Sequence, residues 1–263
     1  MSPSVRALGL LNRLFDKFVM LLALLLVFFA AFNIWDNNQL YVAVDTVQAA
    51  LMSLKPSTTQ GTETGGIIDY SNENDLFGQL KAINPDIRAW LTVDGTSIDF
   101  PVLQGEDNFH YLNRDPYGNF AVAGSVFMDY RCDKDMEGNY LLMYAHHMGQ
   151  GKMFGDLDQF EKAEFFKENT TGTLITPSGT YNLEILGHMI VSASDSVIYD
   201  PELYQEVPHE VVRHVKECAD NLNEEALSHY EAAPEDYKIL CMTTCSSRFT
   251  DARTVVTAIL RKA

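Results

Sequence analysis

Basic residues are scarce in this sequence, and their scarcity excludes one large class of proteins. Lysine and arginine number 19 against 36 aspartates and glutamates, which gives a formal net charge of -17. Because contacts to nucleic-acid phosphates need clustered lysine and arginine, we predict no nucleic-acid partner. Hydrophobic residues make up 46% of the chain and charged residues 21%. These fractions fit neither a disordered chain nor a polytopic membrane protein.

Cysteines are also few, numbering four in 263 residues. That density excludes a small scaffold held together by disulfides. The spacings typical of zinc ligands, C-x2-C and H-x3-H, do not occur, so we predict no metal site. A disulfide between Cys132 and Cys218 is left open by the sequence, although neither residue lies in a recognisable motif.

The longest apolar run lies near the N-terminus, from Phe18 to Trp35, with Asn33 as its one polar residue. As a helix this run is about 27 Å long, just enough to cross the hydrocarbon core of a bilayer. The basic residues before it are Arg6, Arg13 and Lys17. The positive-inside rule then places the N-terminus in the cytoplasm and the rest of the chain outside. We predict an uncleaved signal anchor; a cleaved signal peptide is the alternative, and a buried soluble helix is disfavoured because the run has no polar face.

Three parts are predicted along the chain. Residues 1–35 form the cytoplasmic tail and the transmembrane anchor. Residues 36–66 form a stalk, because apolar residues recur at helical spacing up to Pro56 and the stretch from 56 to 66 has no apolar side chain. Residues 67–263 form the globular body.

The body is patterned as short strands joined by turns. Strands are predicted at 89–93, 97–102, 140–145, 173–176, 180–191, 238–244 and 254–260. Asp94-Gly95 and Pro177-Ser178-Gly179 are hairpin signals between two pairs of them. One helix is predicted from about 208 to 222, because its apolar residues recur on one face. Many short strands with few helices favour a mainly β fold, a closed or nearly closed β-barrel with helical insertions.

The candidate nucleophile is Cys245, which follows Cys241-Met242-Thr243-Thr244 at the end of an apolar strand. A cysteine that leaves a buried strand for a polar turn is accessible enough to react. Four residues of extended strand separate it from Cys241 by about 13 Å, beyond the reach of a disulfide. The alternative is that Cys245 is a small buried hydrophobe, as most free cysteines are.

A histidine and an arginine elsewhere in the chain complete a candidate set. His146 and His147 end the strand at 140–145, and neighbouring residues of a strand point to opposite faces, so at most one of them faces a given site. A histidine near a thiol can stabilise the thiolate or protonate a leaving group. Arg253 opens the last strand and can stabilise an oxyanion, although a salt bridge at the rim is an equal alternative and Arg248 is a rival.

In their order along the chain, these residues resemble a known family, the sortases, and within it class B. Thr243-Thr244-Cys245 resembles the strand-end T-x-T-C signature of the family. Tyr144-Ala145-His146-His147-Met148 resembles its Y-G-H-H/N-M segment, with Ala145 where glycine is usual. Further segments that match are Ile83–Leu91, Pro101–Gly105, Gly151–Phe154 and Arg253 before Val255-Val256. The resemblance covers about residues 76 to 261 and implies a closed sortase-type β-barrel with helical insertions and N-terminal helices.

The resemblance also implies an activity, that of a membrane-anchored cysteine transpeptidase of Gram-positive bacteria. Cys245 would attack the carbonyl of a threonine in the C-terminal sorting motif of a secreted protein. His146 would protonate the leaving amine, and Arg253 would orient the substrate and stabilise negative charge. An amine of a peptidoglycan precursor or of a pilin lysine would then resolve the thioacyl-enzyme.

Substrate-binding residues are implied in the same way. Asn108 and Leu112 match the segment that lines the substrate groove in class B, and Thr243 and Thr244 precede the nucleophile. No cofactor is implied, and calcium is not predicted, because the sequence has no D-x-D-x-D-G loop. The implied location is the cell membrane, with the catalytic domain on the outer surface.

Two other functions stay open from the residues alone. A cysteine hydrolase would let water resolve the intermediate and would ignore an added amine. A non-catalytic surface module on a membrane stalk would keep Cys245 for structure alone.

Overall fold

The structure is a computed structural model that describes residues 3–56, 73–245 and 251–263, with the backbone alone at 3–11, 73–76 and Cys245. The chain divides into two compact units, Met1–Asp45 and Thr46–Ala263. Apart from Pro56, the predicted linker at 56–66 lies outside the described residues, and so does Arg248. The three-part division of the chain remains a prediction.

The N-terminal helix α1 spans Pro3–Met52. It is one helix across the predicted anchor and the predicted stalk helix, because no glycine or proline interrupts the sequence between Gly9 and Pro56. Among the described residues, its segment Asn12–Met52 is the one helix long and apolar enough to cross a membrane. Its large apolar side chains are exposed; Phe28, for example, is 72% exposed. Such a helix can serve as a membrane anchor or as a signal segment.

The rest of the described chain contains nine strands and several short helices. The strands are β1 (Ile87–Val93), β2 (Asp99–Leu103), β3 (Val126–Met128), β4 (Tyr140–Tyr144), β5 (Thr171–Thr176), β6 (Gly179–Ser192), β7 (Asn221–Leu222), β8 (Tyr237–Cys245) and β9 (Ala252–Lys262). The α-helices are α2 (Glu73–Ile83), α3 (Ala163–Glu168), α4 (Pro201–Tyr204), α5 (Pro208–Cys218) and α6 (Glu224–Ala232). Short 3-10 turns lie at His110–Asn113, Gly149–Gly151, Gly155–Glu161 and Pro234–Asp236.

Eight of these strands close into a barrel. The order is β5-β1-β2-β3-β4-β8-β9-β6, and β6 pairs back onto β5, which closes the sheet, while β7 adds to β6. The pairs β2–β3 and β4–β8 are parallel and the other neighbours are antiparallel. The predicted closed β-barrel with helical insertions and N-terminal helices is therefore confirmed, with α1 and α2 preceding β1.

Both predicted hairpins are present. β1 and β2 pair on either side of Asp94-Gly95, and Gly95 has φ +73°, a conformation that favours glycine. β5 and β6 pair up to Thr176 and Gly179, on either side of the predicted turn. Local turn chemistry fixed these two pairings.

The structure corrects the predicted helix at 208–222. Helix α5 ends at Cys218, and β7 instead pairs with Gly187 and His188 of β6. The side chain of Asn221 donates from Nδ2 to the carbonyl of Phe160 at 2.9 Å, which helps hold β7 on the sheet. Pairing with the sheet therefore outweighs the helical spacing of the last residues.

One hydrophobic cluster packs around Trp90, which is fully buried. The buried members of this cluster are Leu51, Phe77, Leu80, Ile87, Trp90, Leu103, Tyr111, Phe127 and Ile175. The indole Nε1 of Trp90 donates to Asp99 Oδ1 at 2.6 Å, and Lys55 pairs with the same carboxylate at 2.7 Å. Buried apolar surface thus holds α2 and the C-terminal end of α1 against β1, β2, β3 and β5.

Candidate active site

The last residues of β4 and β8 and the first residues of β9 lie side by side at one end of the barrel. β8 runs parallel to β4, and Tyr144 is paired with Thr243. The backbone N–H of Ala145 donates to the carbonyl of Thr243 at 3.4 Å, so the pairing continues one residue beyond β4. On the other side of β8, Cys245 is paired with Arg253.

This register brings the backbones of the three predicted catalytic residues together. His146 follows Tyr144 by two residues, as Cys245 follows Thr243 by two residues on the neighbouring parallel strand. Paired strands lie about 5 Å apart. The chain at His146, the end of β8 and the start of β9 are therefore neighbours, while the Cys245 side chain lies outside the described part of the structure.

The imidazole of His146 is half-buried and has a defined partner. Its Nε2 lies 2.8 Å from the carbonyl oxygen of Leu112. Because a carbonyl oxygen only accepts, Nε2 carries the proton and donates it, and Nδ1 is the nitrogen left to exchange a proton. The carbonyl of His146 accepts from the N–H of Phe154 at 3.2 Å, which fixes the chain after β4. Ala145 has a negative φ, so its side chain is tolerated where the family uses glycine.

His147 faces a different partner from His146. Its Nε2 lies 2.8 Å from Asp158 Oδ2, and Asp158 Oδ1 accepts from the Thr254 hydroxyl at 2.8 Å. The expectation that the two neighbouring histidines point apart is confirmed. Asp158 thereby connects the segment after β4 to β9 beside Arg253.

Arg253 lies half-buried at the start of β9. Its Nη1 donates to the carbonyl of Ala252 at 2.9 Å, and among the described residues it forms no ion pair with an acidic side chain. Burial raises the pKa of Tyr199 to about 12, against the opposing effects of its hydrogen bond with Thr243 and of the Arg253 charge. The guanidinium therefore lies close enough to Tyr199 to act on it electrostatically.

The predicted substrate-binding residues have different contacts near this end of the barrel. Asn108 donates from Nδ2 to Asp129 Oδ2 at 2.8 Å, and Leu112 supplies the carbonyl that binds the imidazole of His146. The Thr243 hydroxyl lies 2.9 Å from the hydroxyl of Tyr199. Thr244 is buried, and its hydroxyl has no hydrogen-bond partner in the described part of the chain.

Thr243 and Thr244 lie on opposite faces of the sheet. Neighbouring residues of a strand alternate, and residues paired across antiparallel strands share a face. Thr244 is paired with Thr254, whose hydroxyl contacts Asp158, whereas Thr243 contacts Tyr199. Only one of the two threonine side chains can therefore line a given groove.

Sequence reasoning missed two residues near this end of the barrel, Tyr199 and Asp129. The ring of Tyr144 stacks on Phe127 at 5.4 Å and on Tyr199 at 6.5 Å between centroids. The Tyr144 hydroxyl donates to Asp129 Oδ2 at 2.9 Å. No local pattern identifies Asp129 or Tyr199, because their partners lie far away in the sequence.

The other cysteines are poor candidates for the nucleophile. Cys132, Cys218 and Cys241 are all free thiols, so the disulfide left open between Cys132 and Cys218 is not formed. Burial raises the pKa of Cys132 to about 12 and that of Cys241 to about 11, which disfavours their thiolates. Within the described residues, no group of three or more histidine, cysteine, aspartate or glutamate side chains is placed to hold a metal ion.

Comparison with known proteins gives a consistent answer. The family model described as the sortase domain matches residues 91–261. Sortase B of Staphylococcus aureus is 33% identical over 122 residues, which cover 46% of this chain and 50% of the relative. Sortase B of Listeria monocytogenes is 34% identical over 111 residues, which cover 42% of this chain and 45% of the relative. The chain thus spans about half the length of these two curated relatives.

A solved structure extends the similarity over most of the barrel. The crystal structure of a Streptococcus pyogenes class B sortase involved in pilus biogenesis is 33% identical, with a TM-score of 0.62, and covers 70% of this chain and 97% of that one. Sortases are cysteine transpeptidases. Because the family model matches well over half of the chain, this chain belongs to the sortase family, and its relatives place it in class B.

Proposed function

We propose that this chain is a membrane-anchored cysteine transpeptidase that cleaves the sorting motif of secreted proteins after threonine. It would then join the acyl group to an amine of a peptidoglycan precursor or of a pilin lysine. The observation that carries the proposal is the shared register of β4, β8 and β9. It pairs Cys245 with Arg253 and places His146 two residues beyond the Tyr144–Thr243 pair, level with Cys245.

In the proposed reaction, the Cys245 thiolate attacks the threonine carbonyl and forms a tetrahedral intermediate. Arg253 places a permanent positive charge near the developing oxyanion. This charge stabilises the oxyanion more at a half-buried position than it would in water. The leaving amine takes a proton from Nδ1 of His146, because Nε2 is committed to Leu112. Collapse of the intermediate breaks the peptide bond and leaves a thioester on Cys245.

In the second half of the reaction, the acceptor amine attacks this thioester. His146 removes a proton from the amine, the sulfur leaves as thiolate, and an amide bond joins the two partners. We propose Asn108, Leu112 and Thr243 as residues that bind the peptide, and we leave Thr244 out of this set. Support for these three is their contact with the groups around the histidine and Tyr144, while Thr244 lies on the other face of the sheet.

We also propose that helix α1 anchors the chain as a single span with the catalytic domain outside the cell. The apolar exposed segment supports a lipid environment, and Arg6, Arg13 and Lys17 support a cytoplasmic N-terminus. This location fits substrates that reach the surface through the same membrane.

The test incubates the full-length protein in detergent micelles with a panel of sorting-motif peptides. Reactions contain either no amine, a glycine-type amine of peptidoglycan cross-bridges, or a pilin-derived lysine peptide, and products are identified by mass spectrometry. We expect cleavage after threonine and transfer to one amine, with loss of activity in Cys245→Ala. Cys218→Ser, which removes the exposed thiol, is the matched control and should retain activity.

Three outcomes would contradict the proposal. Hydrolysed product alone, in the presence of both amines, would indicate a cysteine hydrolase. Full activity in Cys245→Ala would rule out Cys245 as the nucleophile, and no cleavage of any peptide would favour a non-catalytic surface module. The relative involved in pilus biogenesis makes the lysine acceptor worth testing in the first experiment.

A further inference from the structure

A buried carboxylate beside the proposed site collects an unusual number of donors. Asp129 follows β3 directly and is 0% exposed. Its Oδ1 accepts from Nε of Arg131 at 2.9 Å, and its Oδ2 accepts from Nη2 of Arg131 at 2.8 Å. Oδ2 also accepts from Asn108 Nδ2 at 2.8 Å and from the Tyr144 hydroxyl at 2.9 Å. Four side-chain hydrogen bonds therefore converge on one carboxylate.

These hydrogen bonds keep the carboxylate charged. Burial by itself raises the pKa of Asp129, but the hydrogen bonds from Arg131, Asn108 and Tyr144 outweigh burial and hold the pKa below its ordinary value. A charged acceptor makes shorter and stronger hydrogen bonds than a neutral one. Asp129 thus holds its partners more firmly than a neutral side chain of the same shape would.

The partners of Asp129 belong to the proposed site. Asn108 is fixed at both ends, because its Oδ1 accepts from the N–H of Tyr130 at 3.1 Å while its Nδ2 donates to Asp129. One N–H and one lone pair of the Asn108 amide are left for a peptide. Tyr144 is the residue two before His146 on β4. The carboxylate therefore holds residues of the proposed peptide-binding region rather than residues elsewhere in the barrel.

A second connection reaches the strand that carries the nucleophile. Nη2 of Arg131 also donates to the carbonyl of Tyr199 at 3.0 Å. The Tyr199 hydroxyl lies 2.9 Å from the hydroxyl of Thr243, two residues before Cys245. The Asp129–Arg131 pair thereby connects Asn108 on one side to Tyr199 and Thr243 on the other.

We infer that Asp129 is a positioning residue for the peptide substrate, which acts by fixing the Asn108 amide in the orientation that meets the peptide backbone. The inference rests on the proposed function. If Asp129 and Arg131 formed only a structural ion pair, they would stabilise the barrel equally well with or without the contact to Asn108. The two roles differ in whether the effect of Asp129 on substrate binding passes through Asn108.

The test measures kcat and KM of the full-length protein for its sorting-motif peptide. Asp129→Asn keeps the shape of the side chain but replaces one accepting oxygen by an NH2 group. Because that NH2 group cannot accept the hydrogen bonds of the surrounding donors, the Asn108 amide is no longer held. Since hydrogen bonds to charged groups are the strong ones, we expect KM to rise roughly 10- to 100-fold, with a smaller change in kcat. In an Asn108→Ala background, adding Asp129→Asn should change KM by less than about twofold.

A matched control uses another carboxylate that holds several donors away from the site. Asp99 accepts from Trp90 Nε1 at 2.6 Å and from the Thr92 hydroxyl at 2.9 Å. Asp99→Asn should lower the melting temperature and leave KM unchanged. If Asp129→Asn does not fold, Asp129→Glu keeps the charge, moves the oxygens by one methylene, and should raise KM in a folded protein.

The outcomes separate this inference from the proposed function. Independent, multiplying effects of Asp129→Asn and Asn108→Ala on KM would overturn the inference, as would a lowered melting temperature with KM unchanged. Either result, with an active wild-type protein, leaves the proposed function standing. A wild-type protein without activity overturns both.

Discussion

Substitution of Gly124 tests whether the carbonyl of Leu112 positions the imidazole of His146, the proposed catalytic histidine. Gly124 has φ +61°, and a Cβ added there would lie 2.5 Å from the carbonyl oxygen of Leu112 and 2.7 Å from that of Tyr111. Real Cβ atoms do not approach backbone oxygens so closely, so the backbone must move. The oxygen that moves is the one that accepts from His146 Nε2 at 2.8 Å.

The expected magnitude for Gly124→Ala follows from two contributions. Placing alanine in the left-handed region costs about 1 kcal/mol, and losing the His146 hydrogen bond costs about 1 kcal/mol more. For a domain of this size, about 2 kcal/mol lowers the melting temperature by about 4–8 °C. A displacement of the imidazole by about 1 Å can reduce kcat/KM by about a hundredfold.

The assay compares Gly124→Ala with Gly118→Ala in thermal melts and peptide kinetics. Gly118 has φ +82° but no heavy atom within 4 Å of an added Cβ, so it carries the backbone cost without the clash. We expect Gly118→Ala to lower the melting temperature by about 2–4 °C and to keep wild-type kinetics. Equal losses of stability and activity in the two variants would refute the reasoning.

Two further predictions concern groups away from the site. Burial lowers the pKa of His188, although the negative charge of Asp220 opposes this effect. The unfolded chain therefore binds the proton more tightly than the folded one, and the free energy of unfolding falls as the pH drops below about 6.5. Chemical unfolding at pH 7 and pH 5 should show this loss in wild type and a smaller one in His188→Gln; equal losses would contradict it. Maleimide labelling of the native protein should modify exposed Cys218 and spare buried Cys132 and Cys241 until denaturant is added, whereas labelling of Cys241 as fast as Cys218 would contradict the burial argument.

Much of the fold was accessible from local sequence patterns. The Asp94-Gly95 hairpin and the strands around Pro177-Ser178-Gly179 were predicted because turn chemistry and alternation are local. Strand β3 was missed because three residues carry no period. Helix α6 was missed although Asn223, whose side chain accepts from the N–H groups of Glu225 and Ala226, is a recognisable N-cap.

The candidate site was accessible in part. The motifs around His146, Cys245 and Arg253 were found by resemblance, and alternation predicted that His146 and His147 diverge. The sequence could not predict which groups hold these residues in place. Leu112, Asp158 and Asp129 are brought to their partners by turns whose paths local patterns do not specify. The roles of the three catalytic residues remain a prediction that the Cys245→Ala experiment tests.

The sequence alone determined the apolar N-terminal helix, the succession of short strands and the polar ends of β4 and β8, because these depend on neighbours a few positions away. The tertiary structure decided the closure of β6 on β5, the parallel register of β8 on β4, and the collection of donors around Asp129. Tyr144 and Thr243 lie far apart in the chain, so a shift of one residue in register would turn the polar side chains of β8 to the other face. That register is fixed by the packing of the whole barrel, a cooperative property that no local segment encodes.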